Sequence, residues 1–152
     1  MLNDLYVIST RDFSTTLLQT GGDVPGPRYG HCVVLTSTIL LIWGGSTNLK
    51  VKKNHLNQDL DDSLYLLNLG TSHLLLSRPL QLIRISCVPV SREWTRILVI
   101  GPGPRGRFYH SMTLVGSKLF VFGGRTAKRR LDDIWALDLK SCTFSPRFSK
   151  PF

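Results

Sequence analysis

The 152-residue chain predicts an all-β fold built from repeated four-stranded antiparallel units, and three features carry that reading. Two stretches 79 positions apart match without a gap, "GPRYGHCVVLTSTILLIWGG" at 26–45 and "RGRFYHSMTLVGSKLFVFGG" at 105–124. Within each, apolar and polar residues alternate over short runs that end on Gly-Gly, as half-buried strands do. No segment shows a helical period with caps.

Each unit divides into strands in order. The run "HSMTLVGSKLFVFGG" splits into two strands around Gly116-Ser117, a small polar pair suited to a tight hairpin. A third strand follows at "IWALDL", matched by "DSLYLLNL" at 62–69 and, at the start of the chain, by "LNDLYVIST" at 2–10. A fourth, weaker strand carries a lone aromatic, Trp94 in one unit, with Phe13 and Phe144 expected at corresponding places in the others. Four short strands between Gly and Pro turns is the pattern of a propeller blade. The domains expected are 1–24, the second half of a preceding blade and a linker; 25–97, a blade with an irregular insertion at 70–89; and 98–152, a further blade.

Composition bounds the function classes. An apolar content of 42% with 19% charged residues is globular rather than disordered. Nineteen Lys and Arg against ten Asp and Glu give +9, a balance that favours an acidic partner. Cys32, Cys87 and Cys142 are odd in number and far apart, so neither a disulfide framework nor a zinc site is suggested and a reduced, cytoplasmic setting is expected. Asp4, Arg11 and Asp12 interrupt any signal-peptide core, and the longest apolar run, around Ile39–Trp43, is far short of the roughly 20 residues that cross a bilayer. No membrane association is expected.

Arg28, His31, Gly44, Gly45, Tyr65 and Trp94 in one unit, and Arg107, His110, Gly123, Gly124 and Trp135 in the next, form a recurring R-x-x-H, Gly-Gly and aromatic series. In this series and its register the chain resembles the kelch repeat and, more broadly, the central-domain superfamily of galactose oxidase. It looks most similar to fungal kelch scaffold proteins. The resemblance implies a β-propeller and a protein-interaction scaffold, with cell-polarity or cytoskeleton association as the finer expectation. The alternative is a propeller-based enzyme such as a copper oxidase, with its site residues outside this chain. None of that enzyme's ligand positions can be matched here, so no catalytic residue, cofactor or metal is assigned.

The motif residues themselves read as architecture. The glycine pairs end a strand where the chain leaves the sheet through angles closed to residues with a Cβ. The arginines and histidines are expected to satisfy backbone carbonyls and the neighbouring blade, and Tyr6, Tyr65, Trp94 and Trp135 to pack between blades. "GPGPRGR" at 101–107 lacks the Gly-Lys-Ser/Thr of a phosphate cradle and precedes a strand, so it reads as an inter-blade loop.

In an antiparallel blade the connections leaving strands two and four emerge on one face. The strand-two exits bring Lys50, Lys52 and Lys53 of one unit together with Arg125, Lys128, Arg129 and Arg130 of the next. These seven cations are the candidate docking surface for a protein partner with an acidic segment, because binding concentrates on loops held by a rigid scaffold. Nucleic acid is disfavoured without interleaved exposed aromatics.

Two and a half blades fall short of the 4 to 8 of closed propellers, so the chain is expected to be a fragment whose remaining blades are missing or supplied by self-association. Alone, it should aggregate or oligomerise. Setting aside residues 70–89 restores a regular blade, with Trp94 five positions after Leu69 as Phe144 is five after Leu139, and cuts the 79-residue offset toward the kelch length of about 50. The excluded segment, "GTSHLLLSRPLQLIRISCVP", reads either as a partner-binding insertion or, as favoured here, as translated intron, since 20 codons keep the frame.

Overall fold

The computed structural model describes residues 2–36, 38–47, 60–69 and 92–148, and every regular element among them is a strand. Lys50, Lys52, Lys53 and the 70–89 segment lie outside the described residues.

The first complete unit holds β4 (Cys32–Leu35), β5 (Ile39–Trp43), β6 (Leu64–Asn68) and β7 (Glu93–Ile97), all antiparallel neighbours. The second holds β8 (Ser111–Val115), β9 (Lys118–Phe122), β10 (Ile134–Asp138) and β11 (Thr143–Phe148) in the same order. Val115 pairs with Lys118 across Gly116-Ser117, so the expected two-residue hairpin forms, with Gly116 at φ 60°. The half-unit at the start is β1 (Tyr6–Ile8) paired with β2 (Thr15–Leu17). A short β3 (Gly21–Gly22) then pairs in parallel with β7, the outer strand of the unit that follows it. The Ile100–Thr143 bridge repeats this arrangement on β11.

Strand register resolves the repeat length. β4 and β5 lie 79 residues before β8 and β9, β6 lies 70 before β10, and Trp94 lies 50 before Phe144 at the same place in the ladder. The 79-residue offset is thus a 50-residue unit with two longer connections in the first copy, 9 residues after strand two (79 − 70) and 20 after strand three (70 − 50). The two inner pairs agree: Leu67 opposes Trp94 as Leu137 opposes Phe144.

One expectation is corrected. Phe13 is not the counterpart of Trp94 and Phe144: Ile8 opposes Thr15 at that rung, so Thr15 holds the place. Phe13 sits in the preceding turn at φ 56°, as Arg92 (48°) and Cys142 (53°) do in the other units. The turn places a left-handed residue there, and the Phe13 side chain is 79% exposed.

The core lies in two seams between units rather than within any one of them. Leu41, Trp43, Leu64 and Leu66 of the first complete unit meet Leu119, Val121 and Leu137 of the second. The opposite face, with Leu40, Ile42, Leu67 and Trp94, is covered by Leu5 and Leu18 of the half-unit. Alternation of side chains along each strand supplies one apolar set to each neighbour, which is why "ILLIW" is almost uniformly apolar and buried on both sides.

Candidate functional site: a motif seam and a basic turn

The repeated motif assembles at the seam between the two complete units. The chain turns into β8 through Arg107, Phe108, Tyr109 and His110, with Tyr109 left-handed at φ 56° where the first unit has Gly30 at φ 65°. The Tyr109 amide donates to the Gly30 carbonyl at 2.7 Å, and the Gly45 amide donates to the Arg107 carbonyl at 2.8 Å, so the two units are joined backbone to backbone. Gly44 and Gly45 adopt φ 72° and 90°. A Cβ on Gly44 would stand 2.7 Å from both the Arg107 carbonyl oxygen and His110 Cε1. Close approach as well as backbone angle therefore calls for glycine.

Each arginine is buried and clamps its own unit. The Arg28 guanidinium donates to the Gly44 carbonyl at 2.9 Å, to the Gly26 carbonyl and to Asp61, and lies 5.0 Å over the Tyr65 ring. Arg107 donates to the Gly123 carbonyl at 2.9 Å and makes a two-pronged pair with both oxygens of Asp133, whose Oδ2 also accepts from Trp135 Nε1 at 2.7 Å. Burial alone would raise both carboxyls, but the hydrogen bonds from Ser63 and Arg28 to Asp61, and from Arg107 and Trp135 to Asp133, outweigh it and hold both below the usual carboxylate range.

The histidines behave differently from the expectation that they cap carbonyls. Among the described residues, neither ring nitrogen of His110 has a hydrogen-bond partner, nor does Nδ1 of His31. The His110 ring instead packs edge-on against Trp43, centroids 5.0 Å apart, and roofs Gly44. Its shape fills the seam, and burial, with the charges of Arg107 and His31 nearby, pushes its pKa down to about 4. The link to the inner strand is made by Cys32 Sγ, which contacts the His110 carbonyl at 2.6 Å, while burial raises that thiol above its ordinary value.

The basic turn lies at the same end of the sheet. Arg125 bridges to Phe108 through both backbone hydrogen bonds and places its guanidinium 5.2 Å over that ring. Thr126 Oγ1 accepts from the amides of Lys128 and Arg129, closing a turn on which Lys128, Arg129 and Arg130 are all exposed. Tyr109, 64% exposed, packs 5.1 Å from Phe108, the ring under Arg125, and 6.2 Å from Tyr29 between ring centroids. Sequence reasoning missed this aromatic neighbour, and it missed Asp61 and Asp133 as partners of the arginines; the acidic pairs 61–62 and 132–133 before strand three were the available signal. Among the described residues, no three His, Cys, Asp or Glu side chains gather as metal ligands, and no helix is long and apolar enough to cross a membrane.

Four-stranded antiparallel units laid face to face, each locked to the next through R-x-x-H and Gly-Gly, define a segment of a β-propeller. The chain belongs to the kelch-repeat family: the model described as the KLHDC2/KLHL20/DRC7 Kelch-repeats domain matches residues 1–149. It is similar to Tip elongation aberrant protein 1 of Schizosaccharomyces pombe, 32% identical over 94% of this chain and 10% of the relative. It is also similar to Serine/threonine-protein phosphatase BSL2 of Arabidopsis thaliana, 31% identical over 97% of this chain and 12% of the relative. Tip elongation aberrant protein 3 of the same yeast is 26% identical over 94% of this chain and 13% of its own length. The chain thus spans about a tenth of the length of these relatives.

Proposed function

We propose that this chain is part of a protein-interaction scaffold in the cytoplasm and that its basic turn docks an acidic segment of a partner protein. The observation that carries the reading is the turn at 125–130, where Lys128, Arg129 and Arg130 are exposed on a hydrogen-bonded connection whose first residue, Arg125, lies over Phe108, the ring neighbour of exposed Tyr109. Cations fixed on a scaffold steer an acidic partner more effectively than cations on a loose loop, because less conformational freedom is lost on binding. The tyrosine adds apolar contact area beside the charge. Two relatives are named for tip elongation, which supports a scaffold associated with cell polarity or the cytoskeleton.

The test is to replace Lys128, Arg129 and Arg130 together with Ser and to measure binding of a fluorescent poly-glutamate peptide across a salt series. The triple variant should lose the salt-sensitive part of the affinity while melting at the same temperature. Unchanged affinity and salt slope would rule the turn out as the docking surface.

A further inference from the structure

The seam between the two complete units is packed at one end and hollow at the other. At the Gly-Gly end the Trp43 side chain fills it, 5.0 Å from the His110 ring and 6.2 Å from that of Phe144 between centroids. At the opposite end, where the turns joining strands one to two and three to four emerge, the lining side chains apart from Lys140 are aliphatic or small and enclose a cavity of about 210 Å³. Its floor is Leu41, Leu64 and Leu66 of the first unit and Leu137 of the second, none more than 7% exposed. The Gly116-Ser117 hairpin leaves space rather than filling it, because a Cβ on Gly116 would meet nothing within 4 Å.

Water is a poor occupant of such a space. A buried water needs about two to four polar partners, and the floor offers methyl groups. An empty apolar cavity forfeits dispersion contacts along its lining, so an apolar guest gains by entering. About seven methylene-sized groups fit, each taken at roughly the 30 Å³ of a water molecule. The two exposed residues of the lining, Gly116 and Lys140, mark where the cavity meets solvent. Lys140 has no ion pair among the described residues, and the nearby Asp138 accepts the Lys140 backbone amide rather than its ammonium. A chain entering there ends beside an unpaired cation.

The geometry points to a binding site for a medium-chain carboxylate of about eight carbons, its alkyl tail among Leu41, Leu66 and Leu137 and its carboxylate on Lys140. The guest touches both units at once and so adds to the contact that joins them. The site lies at the end of the strands opposite the basic turn at 125–130, and neither depends on the other. Cys142 also lines the cavity and reports its occupancy. Cys32, whose thiol contacts the His110 carbonyl near the filled end of the same seam, serves as the internal control.

The probe is octanoate, added to the full chain below the concentration at which it forms micelles. At saturation it should slow the reaction of Cys142 with N-ethylmaleimide at least about fivefold, read by peptide mass, and leave Cys32 unchanged, since the reagent reacts only with the unoccupied fraction. Affinity should rise about fourfold per methylene from butanoate to octanoate and level off beyond, where the cavity is full. Lys140→Gln should weaken octanoate about threefold at low salt and leave octanol binding as it was. Leu114→Phe, which places a ring in the cavity, should abolish the protection of Cys142 without lowering the melting temperature; should that variant misfold, the chain-length series and Lys140→Gln decide. The inference is overturned if octanoate leaves Cys142 unprotected, if both cysteines are shielded alike, if affinity keeps climbing to dodecanoate as adsorption on exposed apolar surface would give, or if Lys140→Gln binds octanoate and octanol in the ratio of the parent chain.

Discussion

Trp43 and Phe122 occupy the same place in successive units, 79 residues apart, yet Trp43 is 1% exposed and Phe122 51%. What separates them is the neighbour: Trp43 lies under His110 and against Phe144 of the next unit, and Phe122 has no such cover among the described residues. The motif therefore acts between units, and its energetics should follow from which side of a seam a residue stands on.

The two glycine pairs test this directly. Gly44→Ala adds a Cβ 2.7 Å from the Arg107 carbonyl, whereas at Gly123 the nearest atom is the Leu131 carbonyl at 3.2 Å. Both carry left-handed backbone strain of roughly 1–2 kcal/mol, and the first adds a backbone clash across the seam. Urea unfolding should show Gly44→Ala destabilised by about 3 kcal/mol or more, and Gly123→Ala by about half of that.

Acid should loosen the same seam through His110. Its pKa falls from 6.5 unfolded to about 4 folded, so the unfolded chain binds the extra proton between those values. Stability from this group is complete above about pH 6.5 and is lost as pH drops toward 4, by roughly 3 kcal/mol in all. His110→Leu keeps the shape without the proton, and its stability between pH 4 and 6.5 should slope less than that of the parent chain by that amount. Equal slopes would place the acid sensitivity elsewhere.

Arg107→Ala should cost about 3 kcal/mol by denaturant melts. It strands the Gly123 carbonyl and leaves the Asp133 carboxylate half-buried and unpaired, with Trp135 as its remaining donor. Arg107→Lys should recover only part of the loss, since one ammonium cannot serve both acceptors with the geometry of a fork. The partial exposure of Asp133 keeps the figure at the lower end of the range for a buried pair.

Deletion of residues 70–89 should leave the fold in place. Between the rungs Leu67–Trp94 and Leu137–Phe144 the chain runs 27 and 7 residues, a difference equal to the segment removed. Shortening the closed loop favours folding by about 1 kcal/mol, so the deleted chain should melt at the same temperature or a few degrees higher. A collapse of stability would show that the segment belongs to the fold, and transcript sequencing that retains its 60 nucleotides would refute its reading as intron.

The strands were legible because each unit repeats its own signals: alternation, Gly-Gly and the aromatic of strand three recur in register at positions such as Tyr65 and Trp135. The family was legible for the same reason. Partner choice was less so, because it depends on the fold bringing distant residues together. Asp61 sits three residues before its strand and Asp133 one before, so the aligned position of Asp133 in the first unit is Ser63 and the common role is hidden. His110 looked like a hydrogen-bonding residue because histidine usually is one when buried, and only the face of Trp43 across the seam shows it used as a wedge. Phe13 misled because a lone aromatic near a weak strand draws the register toward itself. Tyr109 carried no local sign of exposure, since its left-handed backbone is what turns it outward.

The linkers that run in parallel along the outer strands have one more effect. An outermost strand ordinarily presents a row of free amides and carbonyls on which foreign strands nucleate. Here Asp23 and Thr20 tie the Gly21–Gly22 link to Arg96 and Trp94, and the Ile100 amide ties the next link to the Cys142 carbonyl. Gly22 is required for the fit, because a side chain there would run into the Trp94 carbonyl. Each of the two complete units thus has its rim partly sealed by the chain that leads into it. Among the described residues the edges left open are those of β1, β2, β4 and β8, so the tendency to aggregate should follow how many such edges stay uncovered in the assembled protein rather than how many strands it contains.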